Sequence, residues 1–144
     1  MKNRKKIVVF FDFDHFSNDE WLEKVLNTLK TLGEITDKYA CYSQTNSKNF
    51  QAKCKKYNLK PVNLIKTNKK TAHNALDFKI YNWAGRYIHK SKYKNVVYIC
   101  VASFDTDFEQ LAREVKENNK TYIGTKLVGV DNEYTKLCNH IIEV

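Results

Sequence analysis

The fold follows from Ile7-Val8-Val9-Phe10-Phe11-Asp12-Phe13-Asp14, an unbroken apolar run that leads directly into acidic residues. Such a run, rich in β-branched and aromatic residues, is typical of a strand buried on both faces in a parallel sheet. In open α/β sheets, functional groups gather beyond the carboxyl ends of the strands, near the point where the strand order reverses. Asp12 and Asp14 occupy that position, so we expect them to lie in a ligand crevice.

A second segment repeats this pattern. The predicted fourth strand covers Asn95 to Ala102, and it is followed by Ser103-Phe104-Asp105-Thr106-Asp107. If the two strands are neighbours, up to four carboxylates meet in one cleft, where their like charges repel. A bound divalent cation is the usual remedy. The sequence therefore predicts an acidic, metal-binding pocket at one edge of a parallel sheet.

The composition is that of an ordinary globular chain. Its 144 residues are 42% hydrophobic and 28% charged, which suits a single domain over residues 1–144. No apolar run approaches the ~20 residues needed to cross a bilayer, and no secretory signal is expected. Scattered cysteines without Cys-x-x-Cys spacing indicate reduced thiols rather than a zinc site. These features predict a cytoplasmic protein with no membrane partner.

The net charge indicates an anionic partner. Lys and Arg number 25 against 16 Asp and Glu, which gives a formal charge of +9. If several acids cluster in one pocket, the rest of the surface is even more basic. A basic exterior around an acidic metal site suits a nuclease, because it attracts phosphates over long range. A lysine-rich surface that only maintains solubility is the alternative.

Apolar periodicity predicts alternating strands and helices. Ser17-Asn18-Asp19-Glu20 has the spacing of a capping box, and the helix after it should end at Gly33. Further strands are expected over 39–42, 62–66, 95–102 and 121–124, with an edge strand over 140–144. Helices are expected over 50–57, 76–88, 108–117 and 132–139. This alternation predicts a three-layer α/β/α sandwich with a mainly parallel sheet.

Four aspartates are the candidate catalytic and metal-binding residues: Asp12, Asp77, Asp105 and Asp107. Mg²⁺ and Mn²⁺ prefer carboxylate and water oxygens, and such ions support phosphodiester hydrolysis. Asp14 is an auxiliary candidate. A structural explanation exists for most of the set, since Thr106 and Glu109 could cap a helix and Asp77 could complement a helix dipole. Asp12 needs a neutralising partner, because a carboxylate directly after a buried run is costly.

Other polar residues are candidates for substrate binding. Lys69, Lys70 and His73 lie in a predicted basic loop over residues 67–74, at the same sheet edge as the acids. His15 could orient a water molecule or the substrate, and Ser103 could hold a phosphate. A solvated loop and a hydrogen-bonded structural histidine are the alternatives.

The motifs resemble those of the NYN domain family, a branch of the PIN-like metal-dependent ribonucleases, and especially its LabA-like members. Val9 to His15 is similar to the family's opening I-D-G-D-N strand, and Asn74 to Lys79 to its central helix. Val101 to Leu111 is similar to the S-G-D-S-D-F-x-x-L block, and Lys120 to Gly124 to the strand after it. The chain has Phe13, His15, Phe104 and Asn139 where the family usually has a small residue, Asn, Gly and Asp.

The resemblance implies a PIN-like fold of about five strands in the order 3-2-1-4-5, an Mg²⁺ or Mn²⁺ cofactor, and cleavage of single-stranded or structured RNA. It leaves a homodimer open. Two alternatives remain. Phe11-Asp12-Phe13-Asp14 also resembles the Asp-x-Asp motif of haloacid-dehalogenase-type phosphatases, in which Asp12 would be the nucleophile. The domain could also bind RNA without cleaving it.

Overall fold

The computed structural model describes residues 4–44, 46–62 and 72–144, except for the side chains of residues 72–75. Its strands form one six-stranded sheet in which every described pairing is parallel. They are β1 (Lys6–Asp12), β2 (Glu34–Cys41), β3 (Lys60–Val62), β4 (Val96–Ala102), β5 (Thr121–Lys126) and β6 (His140–Glu143). The order β3-β2-β1-β4-β5-β6 confirms the predicted order 3-2-1-4-5 and adds a sixth strand.

Helices cover both faces of the sheet. They are α1 (Asp19–Leu32), α2 (Lys48–Tyr57), α3 (Ala72–His89), α4 (Glu109–Glu117) and α5 (Glu133–Leu137), with 3₁₀ turns at Ser91–Tyr93 and Thr106–Phe108. The buried faces of α1 and α2 pack in one core, and those of α3 and α4 in another. This arrangement confirms the three-layer α/β/α sandwich. No helix within the described ranges is both long enough and apolar enough to cross a bilayer.

The apolar run forms the central strand β1, with β2 on one side and β4 on the other. Its side chains alternate between the two cores. Val8 and Phe10 pack beneath α3 and α4, while Ile7, Val9 and Phe11 pack beneath α1 and α2. All five are 0% exposed, and burying each contributes roughly 1.5–3 kcal/mol.

The strand order reverses next to β1. The chain moves outward through β2 and β3 and then returns to the other side of β1 as β4. Crevices in α/β sheets form at such a switch point, beyond the carboxyl ends of the strands. Asp12 is the last residue of β1, and Ser103 directly follows β4. The fold therefore brings the two acidic segments to the same crevice.

Helix α1 begins after the N-cap Asn18 and ends at Gly33. Asn18 rather than Ser17 is the N-cap, and its Oδ1 accepts from the backbone N–H of Glu20 at 2.9 Å. Asn and Ser cap equally well, so the motif alone did not distinguish the two positions. Gly33 ends the helix as predicted. A Cβ at Gly33 would lie 2.1 Å from the carbonyl oxygen of Lys5, so only glycine fits this close approach.

Several elements differ in extent from the prediction. Strand β2 begins at Glu34 rather than at residue 39, because it pairs with the whole length of β1. Helix α3 begins at Ala72, so His73 lies in a helix rather than in the predicted loop. Asp77 is consequently in the second turn of α3, not the first. Strand β3 begins at Lys60 rather than at residue 62, and residues 63–66 of the predicted strand lie outside the described residues.

Candidate metal centre

Asp12 is a buried carboxylate held by hydrogen bonds on both oxygens. Its side chain is 0% exposed. Oδ2 accepts from the hydroxyl of Ser103 at 2.7 Å, and Oδ1 accepts from the backbone N–H of Asp14 at 3.2 Å. Burial raises the pKa of Asp12, while the hydrogen bond from Ser103 opposes that rise. These contacts partly offset the cost of a carboxylate at the end of a buried strand.

Ser103 links the two acidic segments. Its hydroxyl donates to Asp12 and accepts from the backbone N–H of Asp105 at 3.1 Å. Ser103 is itself 0% exposed. Its hydroxyl is thus used within the protein, and the predicted contact of Ser103 with a phosphate stays a prediction. Ser103 instead sets the position of Asp12 relative to Asp105.

Three of the four predicted aspartates form one cluster. Ligand oxygens of Asp77, Asp105 and Asp107 lie within 4.8 Å of one another, which is close enough for a shared cation. Asp77 comes from α3, and the other two come from the 3₁₀ turn that follows β4. Asp12 lies outside this cluster, but its charge contributes to the electrostatics there.

Asp105 also caps the turn in which it lies. Its Oδ1 accepts from the backbone N–H of Asp107 at 2.9 Å. The capping explanation is thus correct for this segment, although the cap is Asp105 and not Thr106. Each carboxylate oxygen offers more than one acceptor direction, so capping and cation binding are compatible.

Tyr81 and Thr125 support the cluster, although neither was predicted from the sequence. The hydroxyl of Tyr81 donates to the carbonyl oxygen of Asp107 at 2.7 Å and accepts from Leu111 N–H at 3.3 Å, which ties α3 to the start of α4. Thr125 on β5 exchanges hydrogen bonds with the backbone of Ser103 at 2.9 and 3.1 Å. Tyr81 follows Asp77 by four residues on the same helix, so the two side chains lie on one helix face. This spacing was the feature of the sequence that could have indicated a role for Tyr81 near the acids.

The electrostatics of Asp77 reflect the crowded negative charge. Burial is the largest cause of a rise in the pKa of Asp77 from 3.8 to about 7, to which the neighbouring charges of Asp105, Asp12 and Asp107 also contribute. A carboxylate held in this way is destabilised when it ionises without a counter-ion. Strongly perturbed acids that share a crevice are characteristic of functional sites.

Replacing Asp77 by Asn should stabilise the metal-free protein near pH 8. Because the pKa of Asp77 rises from 3.8 to about 7 on folding, the folded state binds the proton more tightly and loses stability as the pH rises between these values. The neutral variant escapes this loss. We expect a gain of roughly 1–2 kcal/mol after allowing for partial solvent screening, and no gain near pH 4. Urea unfolding in EDTA at both pH values measures the difference.

Asp37→Asn is the matched control. The carboxylate of Asp37 accepts from the ammonium of Lys60 at 3.1 Å and the hydroxyl of Tyr87 at 2.8 Å. Its charge is therefore paired, and its neutralisation should leave stability unchanged or lower it. If both substitutions changed stability in the same direction, the proposed charge repulsion at Asp77 would be wrong.

The auxiliary candidate Asp14 and the substrate-binding candidate His15 follow the carboxyl end of β1, directly after Asp12. Oδ1 of Asp14 accepts from the backbone N–H and the hydroxyl of Ser43 at 3.1 and 2.9 Å. His15 is exposed, and its charge lowers the pKa of Asp12. Phe13 is only 4% exposed and packs in the core beneath α1 and α2. Phe104 is partly buried and packs against the same core.

The predicted basic contacts fall on undescribed parts of the chain. Lys69 and Lys70, together with the side chain of His73, lie outside the described residues. Their predicted role in substrate binding stays a prediction.

The donor set suits a hard divalent cation. All three groups in the cluster are carboxylates, the ligand type that Mg²⁺ and Mn²⁺ prefer over nitrogen or sulfur. A dication would also relieve the repulsion that raises the pKa of Asp77. Asp77, Asp105 and Asp107 can therefore hold such an ion, with water completing its coordination.

The chain can be compared with known proteins. The family model of the NYN domain matches residues 6–144. Among solved structures, the chain is similar to the crystal structure of VPA0982, a protein of unknown function from Vibrio parahaemolyticus RIMD 2210633. That pair has a TM-score of 0.73 and 13% identity, with 100% of this chain and 95% of the other covered. At this identity the likeness shows a shared fold alone. No curated protein matches the chain.

Proposed function

Since the chain belongs to the NYN domain family, we propose that it is a metal-dependent endoribonuclease that hydrolyses phosphodiester bonds of single-stranded or structured RNA. One observation carries the proposal. Two separate segments bring Asp77, Asp105 and Asp107 within 4.8 Å of one another at the switch point of the sheet. Acidic clusters of this kind hold the cations that phosphodiester cleavage uses.

The proposed roles follow from burial and exposure. Asp77, Asp105 and Asp107 would hold Mg²⁺ or Mn²⁺, since their ligand oxygens lie within 4.8 Å of one another. When bound there, the cation supplies Lewis acidity toward a phosphodiester and water. Asp12 is buried outside the cluster, where the hydroxyl of Ser103 donates to its carboxyl group. A direct catalytic or metal-binding role for Asp12 stays a prediction.

RNA is the proposed substrate because of the charge and the family. The net charge of +9 coexists with an acidic crevice, so the remaining surface attracts a polyanion. His15, Lys69, Lys70 and His73 are the proposed substrate contacts. We also propose a cytoplasmic location and a homodimer.

The phosphatase alternative is less well supported. Asp12 would have to attack phosphorus, yet its side chain is 0% exposed and both of its oxygens accept hydrogen bonds. A nucleophile must lie within reach of its substrate. The geometry therefore favours a positioning role for Asp12 over a nucleophilic one.

The test is cleavage of an end-labelled single-stranded RNA by protein stripped with EDTA. Addition of Mn²⁺ or Mg²⁺ should produce cleavage within the strand, and EDTA should abolish it. DNA of the same sequence tests the sugar requirement, and p-nitrophenyl phosphate tests the phosphatase alternative.

The outcomes separate the candidate functions. Cleavage that persists in EDTA would contradict the metal-dependent mechanism. RNA binding without cleavage, despite measured Mn²⁺ binding, would identify a non-catalytic module. Release of p-nitrophenol with trapping of a fluoride-stabilised phosphoenzyme on Asp12, and no RNA cleavage, would support the phosphatase.

A further inference from the structure

A cavity opens near the start of α2, on the opposite face of the sheet from the acidic cluster. Its volume is about 380 Å³, within the range of ligand-binding clefts. The described residues that line it are of two kinds. Three are aromatic, namely Phe13, Tyr42 and Phe50, and the polar ones include Ser47, Asn49 and Lys53.

The aromatic residues form a supported stacking surface. Phe13 and Phe50 are 4% and 2% exposed, and their ring centroids lie 5.2 Å apart in an edge-to-face arrangement. The ring of Tyr42 packs on both, at 6.3 and 5.2 Å, and is itself only partly buried. The two phenylalanines therefore hold the Tyr42 ring in place at the cavity. A fixed, partly exposed ring suits stacking of a nucleobase, because every base has a π-face.

Lys53 provides positive charge at this cavity. Its ammonium donates to the carbonyl oxygen of Ser17 and lies 3.7 Å from Asp19. An ammonium has three donors, so these contacts anchor the side chain without using all of them. Lys56 also contacts Asp19, at 3.8 Å, but it does not line the cavity. None of the described lining residues is acidic. The local balance thus suits a ligand that carries a phosphate.

The cavity and the acidic crevice share the same stretch of backbone. Phe13 lies between Asp12 and Asp14 in the sequence, and its backbone N–H donates to the carbonyl oxygen of Cys41 at 2.8 Å. Asp14 accepts from Ser43, the residue next to Tyr42. A chain that crosses the carboxyl edge of the sheet would therefore pass from the acids to the aromatic cavity.

We propose that this cavity binds one nucleotide of the RNA substrate, with its base stacked on Tyr42 and its phosphate beside Lys53. The proposal rests on the proposed ribonuclease function, and it assigns the cavity as the subsite that selects an unstacked nucleotide near the cleavage position. Single-stranded regions offer such nucleotides, whereas an intact duplex does not.

The experiment uses a short single-stranded RNA that carries 2-aminopurine, whose fluorescence falls when it stacks on an aromatic ring. In EDTA, which prevents cleavage, the parent protein should quench the probe. Tyr42→Leu should lose the quenching and bind roughly tenfold more weakly. Tyr42→Phe keeps the ring and should retain both quenching and affinity. This second variant shows that the effect comes from the ring and not from misfolding.

Lys53→Ala should bind roughly threefold to tenfold more weakly, and the slope of log affinity against log salt should fall by about 0.7. Lys56→Ala is its matched control, because Lys56 lies on the same helix and contacts the same Asp19 but does not line the cavity. It should keep the quenching and the affinity of the parent. Equal losses in the two lysine variants would overturn the assignment of Lys53.

Unchanged quenching and affinity in Tyr42→Leu would overturn the proposal. Adenosine monophosphate is the second probe, and a mononucleotide that binds more tightly than the RNA would overturn the substrate assignment.

Cleavage assays separate this proposal from the proposed function. If Tyr42→Leu shows metal-dependent cleavage with an unchanged KM, the proposed nucleotide binding in the cavity is wrong and the proposed nuclease function stands. Tyr42-dependent binding by a protein that cleaves no RNA supports the cavity and contradicts the nuclease.

Discussion

Replacement of Asp105 by Asn should abolish Mn²⁺-dependent RNA cleavage, lowering the rate by about a thousandfold, while RNA binding stays close to that of the parent. The substitution removes one charged ligand from the cluster of Asp77, Asp105 and Asp107, and loss of several kcal/mol of transition-state stabilisation produces such a decrease. The fold should tolerate the change, because an Asn oxygen can still accept from the N–H of Asp107 and Asn is a good cap. Cleavage rates and RNA binding in EDTA are the two measurements.

Asp131→Asn is the matched control for Asp105→Asn. Asp131 is exposed and its carboxylate contacts Lys126 at 2.8 Å, outside the acidic cluster. The same chemical change at this position should leave cleavage intact. Equal residual cleavage in Asp105→Asn and the parent would show that the cluster is not the active centre.

Replacement of Ser103 by Ala should destabilise the folded protein by roughly 2–3 kcal/mol. The hydroxyl of Ser103 donates to the buried Oδ2 of Asp12 and accepts from the N–H of Asp105. Its removal leaves a buried carboxylate oxygen without that donor, and such unsatisfied groups are costly when they carry charge. The pKa of Asp12 should rise further, because the lost hydrogen bond is the one that lowers it most. Urea unfolding near pH 7 measures the loss.

Ser43→Ala provides the comparison for Ser103→Ala. The hydroxyl of Ser43 also donates to an aspartate, Asp14, at 2.9 Å, but that site is only partly buried and the N–H of Ser43 still donates there at 3.1 Å. Water can replace the missing hydroxyl, so the expected loss is below about 1 kcal/mol. A larger loss at Ser43 than at Ser103 would contradict the view that Ser103 is the main connection between the two acidic segments.

Local patterns in the sequence were sufficient for the central strand and for most of the helices. The run from Ile7 to Phe11 is fully buried as predicted, and Gly33 ends α1. These features depend on the order of apolar residues and on glycine, both of which can be read directly. The start of β2 could not be read in this way, because Glu34 to Lys38 is rich in polar residues and is extended through its pairing with β1.

The connections within the acidic crevice were less predictable. Tyr81 and Thr125 form hydrogen bonds with residues far from them in the sequence. Tyr81 is 26 positions from its partner Asp107, and Thr125 is 22 positions from its partner Ser103. Neither residue type is unusual in a helix or a strand. Only the packing of α3 and β5 against the end of β4 gives these hydroxyls their partners.

The order of residues is enough to predict that the buried strand β1 ends in Asp12 and that Asp105 and Asp107 follow β4, because strand burial and the position of charge are local properties of the chain. The packed fold is needed to show that Asp77, Asp105 and Asp107 form the cluster while Asp12 is buried and bound by Ser103. The reason is that the distance between carboxylates on different elements depends on how α3 and the turn after β4 pack across the switch point. The hydrogen bonds of Ser103 and Tyr81 hold the backbone of Asp105 and Asp107 in place.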